Sequence, residues 1–231
     1  MTFINDFMSL IYPRHCEACG NTLYRHEQFI CSYCIINLPR SNYHLLPDNE
    51  ISLLLRGRVP ADMATSYFLY EKKGRVQSLL HAIKYHNQKE LAAHLGRFYA
   101  RELRQQGAME NIETIVPIPL HPKKLKARGY NQSEWFARGV AEELDKELNT
   151  TDLFRAVETS TQTRKKKYER WENVGGIFGL RPAHRLEGKH VLLVDDVITT
   201  GATIEAAWLA LQQAPGLKIA VASIAFASKS A

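Results

Sequence analysis

The stretch 191-VLLVDDVITTGAT-203 decides how the rest of the chain is read. Its four leading apolar residues do not alternate with polar ones, which predicts a strand buried on both faces. The run ends on Asp195 and Asp196, and after Val197 and Ile198 come Thr199, Thr200, Gly201, Ala202 and Thr203. The segment 202–214 has a helical pattern, so TTGAT is the turn between strand and helix. A helix start leaves backbone N–H groups unpaired and points a positive dipole end outward, which suits a phosphate. Gly201 allows close backbone approach, and the three threonine hydroxyls add donors. Neither GxxxxGK[ST] nor GxGxxG is present, so a nucleoside triphosphate or dinucleotide held by those loops is excluded. Carboxylates beside a phosphate would repel it unless a group lies between them. A ribose 5-phosphate reconciles the two halves: its hydroxyls donate to Asp195 and Asp196 while its phosphate reaches the turn. The acidic pair also favours magnesium nearby, directly or through water. A plain turn with a threonine N-cap would not need the carboxylates, and an acidic metal pocket would not need TTGAT.

Strands and helices alternate outward from this motif. Strands are expected at 66–71, 114–120, 152–157, 190–196 and 217–226. Helices are expected at 3–11, 74–86, 89–106, 131–144 and 202–214. Residues 39–50, with two prolines, look like a linker, and 158–174 like a polar, basic loop. Apolar strands alternating with helices predict an α/β fold with a parallel sheet flanked by helices. On such sheets ligands bind beyond the carboxyl ends of the strands, where VLLVDD ends. The expected organisation is an N-terminal helix and small metal ribbon over 1–38, a linker or hood over 39–65, and the ligand-binding domain over 66–231.

All four cysteines lie in one short segment, as Cys16-x-x-Cys19 and Cys31-x-x-Cys34. Two such knuckles resemble a structural zinc site closed by four thiolates, with no open position for a substrate. Two disulfides are the alternative in an oxidising compartment. A redox C-x-x-C would be expected to open a helix after a strand, which is not the pattern here. His15 and His26 are expected to be exposed ribbon residues.

The 231 residues are 45% hydrophobic and 23% charged, with a formal net charge of +6. With a mean hydropathy of −0.29 and no apolar run of about 18 residues, no transmembrane helix is expected. Asp6 and the lack of a basic leader region argue against a signal peptide, so a cytoplasmic location is expected. The pI of about 9.1 mildly favours an anionic partner. Two basic clusters, 123–129 (KKLKARG) and 164–170 (RKKKYER), sit in loop-like sequence.

The motif at 191–203 resembles the 5-phosphoribosyl 1-pyrophosphate (PRPP) motif of type I phosphoribosyltransferases. Residues 117–132 (PIPLHPKKLKARGYNQ), residues 162–178 (QTRKKKYERWENVGGIF) and the double C-x-x-C narrow the resemblance to the ComF family, whose members are associated with competence. The resemblance implies that Asp195 and Asp196 bind the ribose hydroxyls and that Thr199, Thr200, Gly201, Ala202 and Thr203 cradle the 5′-phosphate. It implies a pyrophosphate loop over 119–129 carrying Lys123, Lys124 and Arg128, with Asn131 and Gln132 capping the next helix and reaching towards the ligand. Residues 158–174 would be the closing loop, in which Arg170 and Asn173 match the family pattern. Lys165 departs from that pattern, leaving Arg164 and Lys165 to Lys167 as ligands or as a solvated basic run. Structural Zn2+ and Mg2+ bound with PRPP are the implied cofactors, and a homodimer is one implied assembly.

Two functional classes follow. One is an enzyme that transfers or releases ribose 5-phosphate with loss of pyrophosphate, its acceptor base unassigned. The other is a non-catalytic PRPP sensor or a single-stranded DNA-binding accessory of natural transformation, although the sequence lacks a clear aromatic-basic stripe. Tyr130 and Trp135 are expected to be core or surface aromatics rather than stacking platforms.

Overall fold

The apolar run at 191–194 lies in the interior of a parallel sheet, as its lack of alternation requires. The computed structural model describes residues 13–155, 176–182 and 185–228. Its strands are β1 (Ala61–Leu69), β2 (Thr114–Pro117), β3 (Glu147–Leu148), β4 (Leu153–Arg155), β5 (Phe178–Leu180), β6 (His190–Ile198) and β7 (Lys218–Phe226). Five of them form one sheet in the order β1-β7-β6-β2-β3. Every pairing in that sheet is parallel, with Leu193 of β6 opposite Val221 of β7 and Val116 of β2. Strands β4 and β5 form a separate antiparallel ribbon, so the strand expected at 152–157 is not part of the main sheet.

Two apolar layers explain the composition of β6. Leu192 and Val194 face one cluster, together with Ala220, Ala222 and Ile224 of β7. Val191 and Leu193 face the other, with Ile219 and Val221. All four β6 residues are fully buried, because both sheet faces are covered. The helices are α1 (Ser32–Asn37), α2 (Glu50–Leu55), α3 (Arg75–Tyr85), α4 (Lys89–Gln105), α5 (Pro122–Arg128), α6 (Gln132–Leu144) and α7 (Ala202–Leu211), of which α5 buries no residue. Residues of α3, α4 and α6 join the first cluster, and residues of α2 and α7 the second.

Helices α4 and α6 meet backbone to backbone. A Cβ on Gly139 would lie 1.9 Å from the Ala93 carbonyl oxygen, and one on Gly96 would lie 2.2 Å from that of Phe136. Only glycine permits this spacing, and it sets the position of α6, whose first turn enters the site.

Three expectations need correction. Strand β1 begins at Ala61 rather than 66, because a bulge between Ala61 and Ala64 interrupts its pairing with β7 and the exposed Asp62 breaks the apolar pattern. The stretch 39–50 is not a free linker. Pro39 and Ser41 make backbone hydrogen bonds to β1. Buried Asn49 donates to the carbonyls of Tyr43, Leu46 and Ala64 at 3.1, 2.8 and 2.9 Å, and its Oδ1 accepts from Ile51 and Ser52 to cap α2. Polar composition that suggests a linker here supplies the fastening. The basic run 123–129 is not a loop: Pro122 opens α5, His121 Nδ1 accepts from the Lys123 N–H at 3.1 Å, and Gly129 at φ 83° ends it. The helix expected at 3–11 and the loop expected at 158–174 lie outside the described residues.

Candidate functional site

Asp195 and Asp196 stand at the carboxyl end of β6 in different surroundings. Asp195 is buried, and its Oδ1 accepts from Ser133 Oγ at 3.1 Å and from the Asp196 N–H at 2.8 Å. Burial, and then the charge of Asp196, push its carboxyl up to about 7; those two donors and Lys84 act the other way. Asp196 is partly open. Its Oδ2 lies 2.9 Å from Lys84 Nζ, and its Oδ1 accepts from the Val197 N–H at 2.7 Å. Ser133 comes from the first turn of α6 and Lys84 from the last turn of α3.

Beyond the pair, the chain turns at Gly201, the N-cap of α7, with φ 73°. Thr199, Thr200, Ala202 and Thr203 are exposed around it. Gly201 itself is buried; a Cβ there would meet Leu55 Cδ2 at 2.8 Å, so the turn rests on α2. Arg58 straps the turn. Its Nη1 donates to the Thr200 carbonyl at 3.0 Å, its Nε to Glu205 Oε2 at 3.1 Å, and its Nη2 pairs with the same carboxylate. That guanidinium holds the Glu205 carboxyl below the usual range. Lys84, Ser133 and Arg58 carry no sequence signal, because each reaches the site from a distant segment.

The basic residues occupy α5 and its exit. Lys123 and Lys124 are exposed on α5. Arg128 Nη1 donates to Gln132 Oε1 at 2.6 Å, and its guanidinium carbon lies 5.7 Å from the Tyr85 ring centre. Tyr130 is buried and its hydroxyl donates to the Ile83 carbonyl. The last turn of α3 thus touches both groups: Lys84 meets Asp196, while Ile83 and Tyr85 meet the basic segment. Asn131 occupies the N-cap position of α6 but does not cap it with its side chain; its Nδ2 donates to the Ile118 carbonyl at 2.9 Å. Gln132 is a helix residue, buried, with no partner for Nε2 among the described residues. Trp135 is half-buried, with Lys89 and Arg138 at 4.8 and 5.4 Å from its ring centre. Arg164, Lys165 to Lys167, Arg170 and Asn173 lie outside the described residues.

A second constellation is the cysteine set. The Sγ atoms of Cys16, Cys19, Cys31 and Cys34 all lie within 4.8 Å of one another, and none is in a disulfide. Cys19 Sγ and Cys31 Sγ are 3.8 Å apart, close to the edge of a tetrahedron of thiolates at about 2.3 Å from a central zinc. Gly20, at φ 78°, closes the first knuckle. Burial pushes the Cys31 and Cys34 thiols up. Burial also acts to raise Cys16, but the N–H groups of Cys31, Ala18 and Cys19 outweigh it and hold that thiol down. His15 bonds to the Gly20 carbonyl and His26 stacks on Tyr24, so neither joins the set. The module packs on the start of α3, where the Arg75 guanidinium lies 5.1 Å from the Tyr33 ring centre. Gln88 Nε2 also donates to Glu17 Oε1 at 2.8 Å. Among the described residues no helix is long and apolar enough to cross a membrane.

Residues 129–231 match the phosphoribosyl transferase domain. The DNA utilization protein YhgH of Salmonella typhimurium is 31% identical over 129 residues, covering 54% of this chain and 56% of that protein. The Escherichia coli K12 protein of the same name is 26% identical over 192 residues, covering 82% and 80%. Competence protein F of Haemophilus influenzae is 29% identical over 130 residues, covering 54% and 57%. The matches therefore span little more than half the length of the Salmonella and Haemophilus proteins.

The buried carboxyl sets a pH dependence. Asp195 has a folded pKa of about 7 against about 3.9 in an unfolded chain. Between those values the unfolded chain has released a proton that the folded chain keeps. Asp195 therefore lowers stability as pH rises from about 4 to about 7, with no further change above. Asp195→Asn should flatten that limb of the urea-midpoint profile; parallel profiles for the two proteins would contradict the buried carboxyl.

Proposed function

We propose that this chain, which belongs to the ComF family of phosphoribosyl transferase-domain proteins, binds PRPP and acts as a phosphoribosyltransferase at the end of β6. The observation that carries the proposal is the junction itself: a buried and a half-open carboxylate near the end of β6, with an exposed helix start rich in hydroxyls two residues further on. In this reading Asp195 and Asp196 accept the ribose hydroxyls. The N–H groups and hydroxyls of residues 199–203 receive the 5′-phosphate. Lys123, Lys124 and Arg128 face the pyrophosphate, and Arg170 is assigned to it as a further cation. Hard carboxylate oxygens beside a pyrophosphate suit magnesium, which when bound supplies positive charge to the leaving group.

The reaction breaks the bond from C1 of the ribose to the pyrophosphate oxygen, which leaves with the electron pair. A nucleophile forms the new bond to C1. The ribose becomes positively charged in the transition state and the pyrophosphate negatively charged, so the carboxylates and the basic helix act on opposite ends of the same event. The protein supplies orientation and charge; none of its side chains needs to act as nucleophile.

Calorimetric titration of PRPP, with and without magnesium, tests the proposal. Magnesium-dependent binding is expected in the native protein, and Asp195→Asn with Asp196→Asn together should lose at least about tenfold in affinity while unfolding normally. Unchanged affinity in that double variant would remove the ribose assignment.

The thiol set suits one zinc held by four soft ligands, with a structural role. Metal analysis of the reduced, freshly purified protein should find about one zinc per chain, released on thiol modification or unfolding. A metal-free folded protein would contradict the assignment.

A second reading, single-stranded nucleic-acid binding, has one observation in its favour. Tyr33 and Tyr85, 58% and 65% exposed, each sit beside a guanidinium along α3. His81 lies 4.7 Å from the Tyr85 ring centre. Arg75 and Tyr85 are the two ends of α3, but their partners Tyr33 and Arg128 come from distant segments, which is why no stripe is legible in the sequence. Replacing both tyrosines by alanine should weaken binding of a labelled oligonucleotide by several-fold or more. If PRPP also competes, the two ligands share one cleft. No oligonucleotide binding at low salt would dispose of the reading.

A further inference from the structure

The acidic pair already holds a cation, and the motif does not supply it. Lys84 Nζ lies 2.9 Å from Asp196 Oδ2, with the two side chains 25% and 20% exposed. The residues either side of Lys84 are fastened to the basic segment. The Ile83 carbonyl accepts from the Tyr130 hydroxyl, and Tyr85 faces the Arg128 guanidinium. Lys84 therefore stands between the carboxylates proposed for the ribose and the helix proposed for the pyrophosphate. The pair is largely shielded but not sealed from water, so it can be exchanged at little cost only where each charge is given a new partner. An ammonium has three donors on a flexible stem and can serve two acceptors at once.

Resting on the PRPP reading above, we infer that Lys84 is a ligand-binding residue that acts by counter-ion exchange. In the empty site its ammonium neutralises Asp196. On binding, a ribose hydroxyl donates to Asp196, and the released ammonium takes up an oxygen of the pyrophosphate. No covalent bond changes; one ion pair is replaced by a hydrogen bond and a new ion pair. Without the ligand, the same ammonium keeps a bare divalent cation away from the carboxylates.

Two variants and two titrations test this. Lys84→Met keeps the aliphatic stem and removes the charge, and Lys84→Arg keeps the charge; thermal unfolding establishes that both are folded. In titrations with PRPP and magnesium, Lys84→Met should bind at least about tenfold more weakly than the native protein, with Lys84→Arg between them. In titrations with manganese alone, Lys84→Met should bind the metal more tightly than the native protein. Equal PRPP affinity in native protein and Lys84→Met would overturn the inference while leaving the PRPP reading standing. Equal manganese affinity would overturn the counter-ion role. Failure of the native protein to bind PRPP would overturn the PRPP reading, and with it the pyrophosphate contact; the manganese titration would still judge the counter-ion role.

Discussion

Keeping the carboxyl of Asp195 inside the protein is the constraint on which the surrounding elements depend. A buried acid must be neutral or supplied with donors. Its Oδ1 takes the Ser133 hydroxyl and the Asp196 N–H, and Lys84 stands one residue further out on Asp196. These contacts make demands on distant parts of the chain. The first turn of α6 has to reach β6, and the last turn of α3 has to reach Asp196. The first demand is met by the glycine contact that seats α6 on α4. The second is met at both ends of α3, by the cysteine module at Arg75 and by Tyr130 at Ile83.

The turn after β6 follows a different logic. It has no side-chain cap and exposes its hydroxyl residues, so its shape has to be held from behind. Leu55 fills the space beside Gly201, and Arg58 joins the Thr200 carbonyl to Glu205. Both come from the segment before β1, which therefore contributes to the site without any residue of the motif. One side of the turn is braced and the other is left free, as a site that receives a ligand from solvent requires.

The contiguous parts of the site were legible in the sequence. An apolar run without alternation means a strand covered on both faces, and the acidic pair with TTGAT behind it sets the end of β6. The two C-x-x-C pairs were legible for the same reason, since their spacing is local. Lys84, Ser133 and Arg58 were not legible. Ser133 meets Asp195 across 62 residues of chain, and Arg58 meets Glu205 across 147. A lysine, a serine and an arginine on helices and turns look like ordinary surface residues until the fold brings them in. Segment 39–50 misled through composition, because prolines and polar residues look like a linker, yet buried Asn49 satisfies three carbonyls and two N–H groups. The basic run at 123–129 misled because its apolar content is too low to show a helical period, whereas its proline start and glycine stop define the helix.

The seam between α4 and α6 differs in kind from the contacts around it. On its outer side, Arg97 pairs with Glu142 at the surface, and Arg101 and Arg104 pair with Glu143, whose own side chain is mostly shielded. Mobile ions screen such pairs, with a Debye length of about 3 Å in molar salt. The glycine seam is a steric contact between peptide groups, which ionic strength does not weaken. Concentrated electrolyte therefore weakens the exposed Arg97–Glu142 pair most and leaves the steric contact of the glycines in place. The serine that reaches Asp195 is thus placed by packing that salt does not screen, whereas the Lys84–Asp196 pair at the same edge of the sheet stays sensitive to ions.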